Sequence, residues 1–423
     1  MRRFLAATAT VSATLAATGL ILTTSLHADP IVSPEASPTF QASRAINLLG
    51  LDLFRQITGT GQGANLVLSP YSIQTALAMT YAGAAGKTRS EMARVLHFEG
   101  DEARLHSSFQ AMAQSLALDA THSNGNFSFN VANRLFGHSG FEFEKPFLQT
   151  VATFHGAPLE PIDFARSAVA TRHINAWVED QTRKRIQNLI PDGLLSGDTR
   201  LVLVNALHLK AAWQKEFASP RTQPEAFHLT VGTRANVSTM HDVGSFGFGQ
   251  FTGFRAVSLA YRGTDLQMLL LVPDAVDGLA ATRTALTPGI LDTCRHLQPT
   301  EVDLALPRFK LSPPSIQLAS NLRALGLLSA FDVPRGSADF SRMAHPSKDQ
   351  LMISEVVHKT FLEVDEKGTE AAAATAVIMM RTAAIPPQKP KPIIVRVDRP
   401  FLLAIQHKTS GACLFLGQIT DPR

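Results

Sequence analysis

Residues 363–384 read EVDEKGTEAAAATAVIMMRTAA, and no single regular element accommodates them. Glu370 opens a run of alanines, strong helix formers, yet the run follows Gly368 and leads into Thr375-Ala-Val-Ile, which suits a strand. Local signals usually agree with one another, so this conflict marks a functional segment. At strand period Thr369, Ala371, Ala373, Thr375, Val377 and Met379 share one uncharged face that a sheet could bury. The opposite face carries Glu370 with Ala372, Ala374, Ala376, Ile378 and Met380, which keeps the charge in water. No proline occurs from Gly368 to Ala384, so every backbone N–H there could join a ladder. From composition alone a solvated Ala-rich helix followed by an ordinary strand is the competing reading.

The preceding chain supplies a body large enough to hold such a segment. Of 423 residues, 45% are hydrophobic and 17% charged, and no Pro- or Ser/Gly-rich linker divides residues 40–423, so one large domain is expected. Met1-Arg-Arg and the uncharged run 4–26 have the form of an export signal over residues 1–28, with Ala28-Asp29 as the cleavage point. The run is also long enough to serve as an uncleaved anchor. Residues 29–39, with three prolines, read as a flexible lead-in.

Helical periodicity is expected over 46–57, from Pro70 behind a Ser69 cap, from a Thr88-Arg-Ser-Glu91 capping box, and over 102–118. Alternation predicts a strand at 127–136, and an amphipathic helix with Trp177 on its apolar side is expected over 168–189. LVLVNALHL at 201–209 is apolar almost throughout and so is a strand buried on both faces, with Asn205 as its misfit. Further strands are expected at 266–272, 302–306, 356–364, 393–397, 401–405 and 413–419. Pro386, Pro387, Pro390 and Pro392 keep the chain after the alanine run out of any central sheet. Early helices, later strands and no regular alternation give an α+β class.

Other chemistry is absent from the sequence. There is no G-x-S-x-G nucleophile turn, no H-E-x-x-H and no C-x-x-C, and Ser139 beside His138 reads as a turn. Interspersed charges summing to +4 leave no nucleic-acid footprint. Cys294 and Cys413 are read as free thiols, with one disulfide as the alternative in an exported chain.

The string Glu366-Lys-Gly-Thr-Glu-Ala-Ala-Ala-Ala-Thr, Arg399-Pro-Phe-Leu and Leu414-Phe-Leu-Gly-Gln-Ile resemble the hinge and C-terminal signature of inhibitory serpins, and residues 65–92 are independently serpin-like. The resemblance covers roughly residues 40–422. It implies a large central mixed sheet, several N-terminal helices and a mobile reactive-centre loop that inserts as a strand after cleavage. It further implies a monomeric suicide inhibitor of a serine protease, with cysteine proteases as an alternative target, that forms a covalent complex, needs no cofactor or metal and is not an enzyme. Its hinge would comprise Glu366, Gly368, Thr369, Glu370, Ala371, Ala372, Ala373, Ala374 and Thr375. Its reactive bond would be Thr382-Ala383 by loop length, or Arg381-Thr382 if a trypsin-like pocket selects the arginine. Its shutter under the sheet would be Ser69, Ser72, Asn205 and His358. A carrier or folding factor with the same fold is the competing function.

Overall fold

The computed structural model describes residues 37–59, 63–157, 159–345, 350–369 and 391–423. The proposed signal, the hinge from Glu370 to Thr375 and both candidate reactive bonds lie outside them. Four helices, Phe40–Gly59, Pro70–Ala82, Gly86–Val95 and Glu102–His122, precede the long strand Phe127–His138. Among the described residues the strands form two mixed sheets, one of nine strands and one of seven, sharing one α+β body. The nine-stranded sheet holds the antiparallel run Phe254–Ala260, Leu266–Pro273, Phe401–His407 and Cys413–Ile419, and Ile393–Arg396 lies at one of its edges. From Ile393 to Arg396 the chain therefore pairs in this second sheet and not in the seven-stranded one.

The seven-stranded sheet is covered on both faces, as the apolar run at 201–209 requires. Along Leu201–Ala212 the odd-numbered Leu201, Leu203, Leu207 and Leu209 join the main core, which includes Ile73, Ala76 and Leu77 of helix Pro70–Ala82. The even-numbered Val202, Val204 and Ala206 join a second cluster with Phe164, Ala170, Ile174 and Val178, mostly from helix Ser167–Gln181. Side chains alternate at period two, so each layer takes one phase of the strand.

Two local expectations need correction. The helix expected over 168–189 ends at Gln181, because Arg183 (φ 51°) and Lys184 (φ 62°) turn left-handed. The later Ile186, Leu189 and Ile190 stay apolar because they pack in the second cluster as irregular chain. The Thr88–Glu91 capping box is not one. The helix starts at Gly86, and Thr88 Oγ1 instead accepts Asp339 N–H (2.9 Å). Glu91 accepts the N–H groups of Leu328 (2.9 Å) and Ser329 (2.7 Å). Both side chains satisfy a distant loop, whose backbone donors would otherwise be orphaned. Cys294 and Cys413 are free, and burial pushes both thiols up to about 12.

Candidate functional site

Two strands of the seven-stranded sheet, Leu201–Ala212 and Glu355–Asp365, run parallel and pair directly from Val202 opposite Glu355 to His208 opposite Phe361. Above that seam they diverge. The gap is filled by Gly368 and Thr369, which pair antiparallel with Ala212 and Ala211 on one side and with Asp365 and Val364 on the other. A tight turn delivers them, in which Asp365 Oδ1 accepts the N–H groups of Lys367 (2.8 Å) and Gly368 (3.1 Å). Gly368 has φ +154°, and a Cβ there would collide with the Ala211 carbonyl oxygen, so the position requires glycine.

The segment 213–222 forms a collar around this turn. Trp213 N–H donates to Lys367 O (2.8 Å) and its Nε1–H to Asp365 O (2.9 Å), while Phe217 N–H donates to Glu366 O (2.8 Å). Glu366 accepts from the Thr222 hydroxyl (2.7 Å) and lies 3.6 Å from Arg308. Thr369 is fully buried, and its hydroxyl meets Tyr261 OH at 2.6 Å. The Tyr261 ring stacks on Trp213 with centroids 4.7 Å apart.

Lower in the seam the structure brings Ser69, Ser72, Asn205 and His358 together. His358 lies opposite Asn205, and Asn205 opposite Asn133 of Phe127–His138, so one polar row crosses three adjacent strands. All three face the start of helix Pro70–Ala82. Ser69 caps that helix by accepting Ser72 N–H (3.2 Å), and its own N–H donates to His358 Nε2 (3.0 Å). With Nε2 an acceptor, the His358 proton sits on Nδ1 and is donated to Asn205 Oδ1. Asn205 Nδ2 donates to Asn133 Oδ1 (3.0 Å), which also accepts from the Ser72 hydroxyl (2.6 Å), and Asn133 Nδ2 donates to Ser72 O (3.1 Å). Every member depends on its neighbours, and complete burial pushes the His358 imidazole down to about 3, so it is neutral.

Sequence reasoning missed Asn133, Trp213 and Tyr261. Asn133 carried a signal: Phe127, Phe129, Val131 and Leu135 share its phase in the strand, so it is an inward amide like Asn205. Tyr261 carried none, since its partner Thr369 is 108 residues away in sequence. Among the described residues no cluster of His, Cys, Asp and Glu is arranged to hold a metal.

The seven-stranded sheet thus combines two covered faces, a polar row across its parallel seam and a two-residue strand, Gly368–Thr369, at the head of that seam. The family described as "Serpin (serine protease inhibitor)" matches residues 44–422. The bovine leukocyte elastase inhibitor is 37% identical over 395 residues, covering 90% of this chain and 100% of that protein. The crystal structure of Serpin48 from the insect Tenebrio molitor superposes with a TM-score of 0.78 at 28% identity, covering 90% of this chain and 98% of that one. Human thyroxine-binding globulin, in its complex with thyroxine, superposes with a TM-score of 0.79 at 26% identity, covering 91% of this chain and 100% of that one. The chain belongs to the serpin family, the serine protease inhibitors, and is not an enzyme.

Proposed function

We propose that this chain is a suicide inhibitor that traps a serine protease covalently as its loop enters the seven-stranded sheet. The observation that carries the reading is the wedge. Gly368 and Thr369 already occupy both ladders at the head of the seam, while the residues below, from Val202 to His208, remain paired with Glu355 to Phe361. Insertion is then continuation of an existing strand. Extending the register by one residue per step along both neighbours sets Ala371 and Ala373 in the closely packed interior and Thr375 opposite Asn205 and His358. Small side chains suit that route, because an interior at crystal-like density admits little else without delay. The polar row at Asn205 and His358 acts in this reading as the shutter that must part, and re-form around the new strand.

The protease attacks Thr382-Ala383, or Arg381-Thr382, and the acyl-enzyme is carried away by insertion before water hydrolyses it. The inhibitor acts as a monomer, exported by residues 1–28. The similarity to an elastase inhibitor favours a target with a small apolar pocket, which suits Thr382. Thyroxine-binding globulin keeps the carrier reading as the rival.

Incubation with trypsin-, elastase- and subtilisin-like proteases tests the reading. An SDS-resistant complex is expected, with the released peptide beginning at Ala383 and a raised melting temperature after the loop is nicked. Proteases that cut the loop and all stay active, with melting unchanged, would leave the carrier reading standing.

A further inference from the structure

The geometry points to Tyr261 as a positioning residue for loop entry: its phenol is the seat that holds Thr369 inside the sheet before any protease arrives. This rests on the inhibitory reading above for its kinetic consequence, but not for the seating itself.

The turn at 365–368 is held by backbone and acidic contacts to 213–222, whereas Thr369, the first residue past the turn, adds to its pairing with Val364 and Ala211 a side-chain bond of its own, from its hydroxyl to Tyr261. Both oxygens are buried, with Tyr261 2% and Thr369 0% exposed. Burial drives the Tyr261 phenol well above its ordinary range, so it stays protonated and available as a donor. If Thr369 left the sheet, the phenol would be stranded in a dry site, so the bond biases the hinge toward the seated state. The stack of Tyr261 on Trp213, fixed by Trp213 Nε1 on Asp365 O, holds the phenol at the right height. Entry of the loop then starts from a docked first residue, and time is what separates trapping from hydrolysis of the acyl-enzyme. The polar contact also gives the hydroxyl at 369 a partner, ahead of Ala371 and Ala373 on the same face.

Tyr261→Phe and Thr369→Val each remove only the hydroxyl interaction and keep the shape. Each is expected to raise the moles of inhibitor consumed per protease inactivated by about two- to tenfold, with the rate of loop cleavage unchanged. The double variant should be no worse than either single one, because one contact is removed twice. A merely structural role would lower the melting point without moving this partition. In a Trp177→Phe background Trp213 is the remaining tryptophan of the two. Its emission should then shift equally in Tyr261→Phe and Thr369→Val as the hinge unseats. Wild-type partition and emission in Tyr261→Phe would overturn the proposal, as would additive losses in the double variant. If wild type traps no protease at all, the inhibitory reading fails, and the emission measurement alone still decides whether Tyr261 seats the hinge.

Discussion

The two sheets are zipped differently. In the nine-stranded sheet Leu266–Pro273, Phe401–His407 and Cys413–Ile419 are buried along their whole length and joined by antiparallel ladders, with a single register shift between Ile405 and Gln406. In the seven-stranded sheet the central seam is parallel, only partly filled at its head, and crossed at Asn133, Asn205 and His358 by polar groups. Non-directional apolar burial yields little that can be undone and re-made in steps. Hydrogen bonds are directional, each worth about 1 kcal/mol net when satisfied, and are expensive mainly while broken. On the proposed reading the polar seam is closed at rest yet able to exchange one strand partner for another, whereas in the nine-stranded sheet the buried Gln267 and Gln406 bond each other and the carbonyls of Cys294 and Leu291, which ties those strands to their neighbours.

The comparison is sharpened most by damaging the closed sheet. Phe401 is fully buried in the main core. Phe401→Ala should cost about 3–5 kcal/mol in chemical denaturation, while the fraction of protease trapped stays at the wild-type value wherever the fold persists. Loss of trapping in step with stability would mean that the two sheets are not functionally distinct.

At the seam the expected stability loss is smaller and the functional one larger. His358→Ala removes the acceptor for Ser69 N–H and the donor to Asn205 at once. A drop of about 1–3 kcal/mol is expected, with polymers or premature loop insertion on mild heating. A lower melting point with strictly monomeric, active protein would reduce the row to ordinary core.

Acid probes the same residue without mutation. Its folded value of about 3 lies below the ordinary 6.5, so the unfolded chain takes up the proton first. The contribution of His358 is complete above pH 6.5 and shrinks as pH falls from there toward 3. Between pH 6.5 and 5 the loss amounts to about 1–2 kcal/mol. His358→Gln should flatten the stability profile over that interval by this amount, other buried histidines such as His155 being common to both proteins. Identical slopes would show that His358 is reached by solvent.

Much of this seam is legible in the chain because burial imposes a phase. LVLVNALHL announces a strand covered on both sides, and Asn205 stands out within it. Asn133 is legible by the same rule once the phase of FSFNVANRLF is followed. What cannot be read is any contact set by tertiary approach. Thr88 and Glu91 have the spacing of a cap but serve a loop some 240 residues on, and 182–190 keeps an apolar rhythm while its backbone leaves the helix. Glycine-rich, partly exposed Thr233–Phe251 escapes a search for alternating apolar residues, although it is the longest strand among the described residues. The seating of Thr369 belongs to the same class, for nothing local to residue 369 encodes a phenol from residue 261.

The smallest effect is expected on the outer face of the seam, at Lys359. It is the neighbour of His358 but points the other way, and its ammonium donates to the Gln187 carbonyl (2.8 Å) in the irregular stretch after helix Ser167–Gln181. Burial holds its pKa below the ordinary lysine range, so the folded state bears a cost for keeping it charged near neutral pH. Lys359→Met keeps the apolar stem and removes that cost, and the exposed Gln187 carbonyl can turn to water instead. A gain on the order of 0.5–1 kcal/mol is expected in chemical denaturation. Since Lys359 pairs with Ala206 in the stretch that would part under the proposed insertion, the same gain should slow entry of the loop and let more acyl-enzyme hydrolyse. A variant that is more stable and traps less protease would make the strained charge part of the mechanism. One that is more stable and traps equally well would confine the seam's working parts to the His358 face.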